Sequence, residues 1–324
     1  MAAAPDVADL VARAREGQPR AVARLISMVE DAAPAMREAT AALAPYSGRA
    51  QVVGLTGAPG VGKSTTTSAL VAVYRARGLR VGVLAVDPSS PFSGGALLGD
   101  RVRMQDHATD ADVYIRSMAS RGHLGGLSWA TPQAIRVLDA AGFDVVLVET
   151  VGVGQSEVEV AGAADTTVVL LAPGMGDGVQ AAKAGILEIG DVFVVNKADR
   201  DGADITMREL RHMITLGSGP RSGPADDPWS PAVLKTVAST REGIDAVVDA
   251  IDAHRAWLER AGQLKVRRQV RAQAEIEAIA FDALRARIGH LHGDARLDAL
   301  AARVVEGELD PYAAADTLVA GLGA

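Results

Sequence analysis

The sequence contains no cysteine and has fewer basic than acidic residues. The absence of cysteine excludes disulfides, zinc ribbons, cysteine-ligated iron–sulfur clusters and thiol catalysis. The 33 Lys and Arg against 40 Asp and Glu give a formal net charge of −7. This balance argues against a general nucleic-acid-binding protein, because neutralising phosphates requires a basic surface. We therefore expect no nucleic-acid partner.

Long uninterrupted apolar runs are also missing. No stretch reaches the roughly 20 apolar residues that a helix needs to cross a bilayer. The beginning of the chain carries Asp6, Asp9 and Glu16, so it lacks the apolar core of a secretory signal. We expect a cytoplasmic protein that does not associate with a membrane. Hydrophobic residues make up 48% of the 324 residues, which is enough for a sizeable core.

Apolar periodicity divides the chain into three regions. Residues 1–48 have helical spacing and predict an N-terminal helical arm, whereas residues 49–260 alternate short β-branched runs with helical patterns. Such alternation is typical of a mainly parallel sheet covered by helices on both faces. Residues 261–324 predict a helical tail, with a last helix beginning at Asp310 and Pro311. The seven predicted strands are QVVGLT, RVGVLAVD, DVYIRS, FDVVLVET, TTVVLLAP, DVFVVNKAD and VLKTVAST.

The stretch GAPGVGKST matches the phosphate-binding pattern GxxxxGK[ST] and lies between a predicted strand and a predicted helix. In this setting backbone N–H groups and the helix N-terminus hold the β-phosphate of a nucleotide. Lys63 reaches between the β- and γ-phosphates, and Ser64 binds Mg²⁺. The fold class is therefore predicted as an α/β P-loop NTPase. Its predicted phosphate-loop contacts are Gly57, Ala58, Pro59, Gly60, Val61, Gly62, Lys63, Ser64 and Thr65.

The sequence NKAD, Asn196 to Asp199, directly follows a predicted strand and indicates which base is bound. Guanine offers N1–H and N2–H₂ as two adjacent donors, and the carboxylate of Asp199 can accept from both, whereas adenine has no such pair. Downstream, VAST is predicted to end another strand, so that backbone N–H groups at Ser239 and Thr240 meet guanine O6. The predicted base-site residues are Asn196, Lys197, Asp199, Ser239, Thr240 and Arg241.

The segment FDVVLVETVGVGQSE predicts the sensor of the γ-phosphate. Glu149 ends an apolar strand and can hold Mg²⁺ through water, and the N–H of Gly152 can contact the γ-phosphate. Val153 occupies the place where many GTPases have a glutamine that orients the attacking water, so we expect slow intrinsic hydrolysis that a partner stimulates. Gln155 either reaches that water or is a solvated loop residue; the sequence leaves both open.

Two further acids are candidate metal-facing residues. Asp87 ends the strand VGVLAVD, and Asp100 lies in the Gly-rich loop that follows it. Both can approach Mg²⁺ if that loop closes over the site. The alternatives are an Asx-turn for Asp87 and a solvated loop acid for Asp100, and the residues alone do not decide between them.

With these motifs assembled, the chain resembles the MeaB/ArgK family of methylmalonyl-CoA mutase-associated GTPases, G proteins of the SIMIBI class. The resemblance covers nearly the whole chain. Its most specific segments, besides the phosphate loop, are VDPSSPFSGGALLGDRVRM, VETVGVGQSE and DGVQAAKAGILEIGDVFVVNKAD. The pair Ser239–Thr240 departs from the usual Ser-Ala or Thr-Ala of G proteins, at little expected cost because backbone atoms recognise the base.

The resemblance implies a homodimer held by its C-terminal helices, with GTP or GDP and Mg²⁺ in each nucleotide site. It implies binding to an adenosylcobalamin-dependent acyl-CoA mutase, whose cofactor loading the GTPase gates and which it protects. The metal-facing acids fall on Asp87, Asp100 and Glu149. Mobile segments correspond to residues 87–104, 149–159 and 176–188, and Lys183 in the last one is implied to act in catalysis. By its sequence alone, Lys183 is a solvated charge on an amphipathic helix.

Two other functions share the phosphate loop. A metallochaperone GTPase that delivers nickel needs soft or imidazole ligands, but the six histidines are scattered, and only His290 and His292 are close together. A small-molecule or protein kinase is the second alternative. The chain has no DxHxxG motif for base-off cobalamin and no barrel-length segment, so a mutase client must be a separate polypeptide. Methylmalonyl-CoA mutase is the first expectation, and isobutyryl-CoA and related mutases are equally compatible.

Overall fold

A computed structural model describes residues 6–31, 33, 35–87, 104–107, 109–119, 130–150, 156–174, 185–216, 227–288 and 295–320. All seven predicted strands are present and pair in parallel in one sheet of order β3-β2-β4-β1-β5-β6-β7. The predicted α/β fold of the P-loop type is therefore confirmed. The strands are β1 Gln51–Thr56, β2 Val81–Asp87, β3 Val113–Ala119, β4 Val145–Thr150, β5 Thr166–Leu171, β6 Val192–Val195 and β7 Ala232–Lys235.

Helices precede, connect and follow the strands. Before β1 lie α1 Val7–Arg15, α2 Pro19–Glu30 and α3 Met36–Leu43, with a 3₁₀ turn at Ala44–Tyr46. Between strands lie α4 Lys63–Ala76, α5 Thr131–Ala140, α6 Ser156–Ala163, α7 Gly185–Ile189 and α8 Ala203–Leu216, with a 3₁₀ turn at Gln105–His107. After β7 come α9 Ile244–Arg260, α10 Gln263–Ile288, α11 Ala295–Val305 and α12 Pro311–Ala320. None of the described helices is long and apolar enough to cross a membrane.

The strands are buried on both faces, as their continuous apolar runs predict. On one face, Val53, Leu55 and Leu147 pack with side chains of α4 and α9. On the other face, Val146 and Val148 share a cluster with α5 and with the three N-terminal helices. The N-terminal helices therefore supply part of the core that covers the sheet, because they bury their apolar stripes in this cluster.

Residues 1–268 and 269–324 form two compact units. The second unit contains the end of α10, then α11 and α12, whose Leu300, Ala314 and Leu318 form a small cluster of their own. Helix α12 begins where predicted, because Asp310 Oδ1 accepts from the N–H groups of Tyr312 and Ala313 at 2.9 and 3.1 Å. The predicted turn at residues 289–294 lies outside the described residues.

One end of β7 differs from expectation. The apolar run predicted a strand that continues to Ser239 and Thr240, but β7 ends at Lys235. The chain turns because Val237 pairs antiparallel with Glu242 within the same segment, and Thr240 N–H donates to Val237 O at 3.0 Å. Ser239 and Thr240 therefore lie in a tight turn rather than at the end of a strand.

A buried histidine lies at the amino-terminal edge of the sheet. His254 on α9 is fully buried, hydrogen-bonds Thr166 Oγ1 through Nδ1 at 2.9 Å, and stacks on Trp257. Its Nε2 lies 3.3 Å from Asp191 Oδ1 without hydrogen-bond geometry, and the same carboxylate is held by two hydrogen bonds from Arg267. Burial therefore dominates over the attraction of Asp191 and lowers the pKa of His254 to about 4.

The depressed pKa predicts acid sensitivity. Below pH 6.5 the unfolded chain protonates this histidine while the folded chain does not, so stability falls from pH 6.5 to about 4 and then levels off. Between pH 7 and 5 this residue should contribute a loss of about 2 kcal/mol in the free energy of unfolding. Urea denaturation of wild type and His254→Phe across this range gives the slope of the free energy of unfolding against pH for each protein. Equal slopes would contradict the lowered pKa of His254.

Candidate functional site

The phosphate loop connects β1 to α4 at the carboxyl edge of the sheet, which is where open α/β sheets bind ligands. Lys63 begins α4 and is buried, with Nζ donating to Gly57 O at 2.6 Å and to Ala58 O at 3.1 Å. Its ammonium group therefore lies over the loop that precedes it. Pro59 and Gly60 are exposed on the rim of the loop, Val61 is buried beneath it, and Thr65 is exposed on the first turn of α4.

Two glycines of this loop have no room for a side chain. Gly57 has φ 140°, and a Cβ there would lie 2.2 Å from Leu170 O. Gly62 has φ 96°, and its Cβ would lie 2.4 Å from Asn196 Nδ2. Only glycine fits these positions without displacing its neighbours. The loop thus keeps its backbone close to β5 and β6 and forms a cradle of main-chain atoms, which suits a phosphate group.

A buried carboxylate lies directly beside the loop. Glu149, near the end of β4, is 1% exposed. Its Oε1 accepts from Ser64 Oγ at 2.5 Å, and its Oε2 accepts from Thr67 Oγ1 at 2.8 Å. Hydroxyl and carboxylate oxygens are the hard ligands that Mg²⁺ prefers, directly or through water. The predicted metal residues Ser64 and Glu149 are therefore adjacent, and their chemistry fits this ion.

The segment NKAD, predicted to recognise the base, is joined to the phosphate loop by the side chain of Asn196. Asn196 directly follows β6 and is 2% exposed. Its Nδ2 donates to Val61 O at 2.8 Å, and its Oδ1 accepts from Thr236 Oγ1 at 3.1 Å and from Ala238 N–H at 3.0 Å. This amide therefore connects three segments: the phosphate loop, the end of β6 and the turn after β7.

The neighbours of Asn196 line the same edge. Lys197 has φ 57°, and its Nζ donates to Gly60 O at 2.6 Å, which is a second connection to the phosphate loop. Asp199 is exposed, so its carboxylate is open to a ligand. In the turn after β7, Arg241 N–H donates to Ala238 O, as Thr240 N–H does to Val237 O. For the N–H of Ser239, in contrast, no hydrogen bond to another described residue is found.

Some predicted residues lie outside what the structure describes. These are Asp100, Gly152, Gln155 and Lys183, with the histidines 290 and 292. Asp87 ends β2 next to β4, where Ala85 pairs with Glu149, so its backbone lies at the same edge of the sheet. The described residues contain no group of three or more His, Asp or Glu side chains arranged to hold a metal ion.

The sequence reasoning did not single out Thr67. The residue belongs to no motif, yet it follows Ser64 by three positions in a helix and therefore lies on the same face of α4. That spacing, together with the burial of the face that α4 turns to the sheet, is a signal from which it could have been found.

Residues 22–291 match the family described as "Methylmalonyl Co-A mutase-associated GTPase MeaB". The chain belongs to this family. It is 47% identical to a protein of Pyrococcus abyssi named as a GTPase, over 96% of this chain and 95% of that protein. It is 36% identical to the mouse protein "Methylmalonic aciduria type A homolog, mitochondrial", over 82% of this chain and 64% of that protein.

A solved structure described as "LAO/AO transport system kinase" superposes with a TM-score of 0.72 at 28% identity, covering 98% of each chain. Its fold agrees with the seven-stranded parallel sheet found here. The family and the relatives named as GTPases identify the chain as a GTPase that binds guanine nucleotides.

The crowding at Gly62 can be tested with a matched pair of substitutions. Gly60 also has positive φ, at 80°, but a Cβ there meets nothing within 4 Å. Gly60→Ala should therefore lower the free energy of unfolding by about 1–2 kcal/mol from backbone strain alone. Gly62→Ala should lower the free energy of unfolding by about 1–3 kcal/mol more than Gly60→Ala, because it displaces Asn196 from its buried hydrogen bonds.

Urea denaturation of the nucleotide-free variants measures both losses. Equal destabilisation by the two alanines would contradict the close contact between Gly62 and the Asn196 side chain.

Proposed function

We propose that this GTPase is a chaperone of an adenosylcobalamin-dependent acyl-CoA mutase, most directly methylmalonyl-CoA mutase, and that its nucleotide state gates cofactor loading and protects the mutase. The observation that carries the nucleotide part is the contact of Ser64 with Glu149 beside the phosphate loop, at 2.5 Å. The family description supports the mutase part. The relative named for methylmalonic aciduria supports it as well.

In the proposed site, the backbone of residues 57–62 and the N-terminus of α4 hold the phosphates of GTP. Lys63 exchanges its contacts with Gly57 O and Ala58 O for phosphate oxygens, so that its ammonium group donates hydrogen bonds in both states. Ser64 and Glu149 would hold Mg²⁺, with Asp87 and Asp100 as further candidates. When bound, Mg²⁺ supplies positive charge against the phosphates and so stabilises the charge that develops during hydrolysis.

Asp199 accepts from N1–H and N2–H₂ of guanine, and Ser239 N–H meets O6, with Lys197, Thr240 and Arg241 beside the base. Asn196 acts indirectly, since both ends of its amide are already bonded to protein atoms. We propose that Gly152 contacts the γ-phosphate and that Gln155 and Lys183 act in hydrolysis. We also propose that hydrolysis is slow until the mutase binds.

We further propose a cytoplasmic homodimer that uses its C-terminal helices, within a chain divided into an arm (1–48), a GTPase domain (49–260) and a tail (261–324). Helix α10 supports the dimer, because large apolar side chains on it are at least half exposed in the single chain. They are Val266, Val270, Ile276, Ile279, Phe281 and Leu284. Large apolar side chains exposed along a helix in this number indicate a protein–protein contact.

Base choice is tested by Asp199→Asn. The substituted amide offers a donor where the carboxylate accepted, so affinity for guanine nucleotides should fall and affinity for xanthine nucleotides should rise. We expect each of the two affinities to change about 10-fold or more, since each misplaced hydrogen bond to a base costs about 1–3 kcal/mol. Competition between GDP and xanthosine diphosphate for a fluorescent analogue measures both changes. An unchanged preference would place the base elsewhere.

The client is tested by affinity capture. Tagged wild-type protein, loaded with a non-hydrolysable GTP analogue or with GDP, should retain an acyl-CoA mutase from an extract of the native cell, identified by mass spectrometry. The purified mutase should then stimulate GTP hydrolysis about 10-fold or more, a gain of about 1.4 kcal/mol in transition-state stabilisation.

Lys63→Ala is the control, because it should lose hydrolysis while retaining the fold, and it should lose nucleotide-dependent capture. Retention of a hydrogenase or urease accessory protein instead would contradict the proposed client.

A further inference from the structure

The hydroxyl of Thr67 contacts the carboxylate oxygen of Glu149 that Ser64 does not contact. The carboxylate is 1% exposed and Thr67 is fully buried, so water does not compete for this contact. The hydroxyl lies 2.8 Å from Glu149 Oε2 and 3.0 Å from Lys63 O. A hydroxyl carries one hydrogen, and a bond to an ionised carboxylate is stronger than a bond to a neutral carbonyl. Thr67 therefore donates its hydroxyl hydrogen mainly to Glu149 Oε2.

The two hydroxyls that contact Glu149 have different positions relative to the phosphate loop. Ser64 is in the first turn of α4, next to the loop, whereas Thr67 is one turn further along the helix. One turn displaces a residue by about 5 Å from the helix N-terminus. Ser64 can therefore contact an ion bound at the phosphates, whereas Thr67 contacts the carboxylate oxygen on the side away from the phosphate loop.

The terminal torsion of a glutamate side chain is broad, so the carboxylate plane is set by its hydrogen-bond partners. With Thr67 on Oε2, Oε1 is directed to Ser64 and the phosphate loop. Without that hydroxyl, Oε2 would lose a donor inside a buried site, and the carboxylate could rotate to recover one. Partners of this kind, which orient a metal-binding carboxylate without contacting the metal, typically change metal affinity 10–100-fold.

We propose that Thr67 is a positioning residue that orients Glu149 toward the Mg²⁺ of the nucleotide site. The inference rests on the proposed function, in which Ser64 and Glu149 hold that ion. It assigns no chemical step to Thr67. Its effect is to keep one carboxylate oxygen bonded to the protein so that the other one faces the ion.

Thr66 provides a matched control on the same helix turn. It is fully buried like Thr67, and its hydroxyl makes the same type of bond to the carbonyl four residues earlier, Thr66 Oγ1 to Gly62 O at 2.9 Å. Thr66→Val and Thr67→Val therefore remove equivalent hydroxyls from equivalent environments. They differ in the contact with Glu149, and Thr67→Ser restores that contact with a smaller side chain.

The experiment measures the release of a fluorescent GDP analogue as Mg²⁺ is titrated, which reports ion binding and does not depend on hydrolysis. Thr67→Val should raise the Mg²⁺ concentration for half-maximal slowing of release about 10-fold or more. Thr66→Val and Thr67→Ser should stay within about threefold of wild type, and all variants should bind GDP equally in EDTA. If Thr67→Val does not fold, as judged by urea denaturation, Thr67→Ala removes the same hydroxyl and replaces it in the Mg²⁺ titration.

An unchanged Mg²⁺ midpoint in Thr67→Val, or an equal rise in Thr66→Val, would overturn the positioning role while leaving the nucleotide site intact. A wild-type protein whose GDP release does not respond to Mg²⁺ at all would overturn the proposed metal site, and the role of Thr67 with it.

Discussion

The buried amide of Asn196 is the interaction on which the geometry of the site depends. Through its two ends it bonds the phosphate loop at Val61 O and the turn after β7 at Ala238 N–H and Thr236 Oγ1. A buried amide with its donor and acceptor satisfied is stable, whereas one with a lost partner is costly. The spacing between the phosphate loop and the turn after β7 is therefore fixed by bonds within the protein itself.

The rest of the fold supports this arrangement. Parallel pairing brings the ends of β1, β4, β6 and β7 to one edge, so that residues distant in sequence, such as Ser64 and Glu149, come into contact. Helix α4 begins at that edge and α9 leaves from it, and the two are joined away from the site by ion pairs of Arg77 with Asp249 and Asp252. The family relationship then connects this pocket with the GTPase activity.

Much of this was predictable from the sequence, for identifiable reasons. Continuous β-branched runs marked all seven strands, the phosphate-loop motif placed Lys63 and Ser64 at the start of a helix, and the NKAD motif placed Asp199 just after a strand. The end of β7 was missed because Val237 continues the apolar run, while the turn is decided by a pairing of Val237 with Glu242 that no local pattern reveals. Thr67 was missed because its role requires the position of β4 relative to α4, which is set by sheet order.

We propose that one pocket holds phosphates at one end and a guanine base at the other. The most direct test of this claim is calorimetric titration of the nucleotide-free protein with GDP and with ADP, in the presence of Mg²⁺. We expect GDP to bind at least about 100-fold more tightly, because a site built to pair with the donors of guanine leaves its polar groups unsatisfied with adenine. Equal or tighter binding of ADP, or no binding of either nucleotide, would contradict the claim.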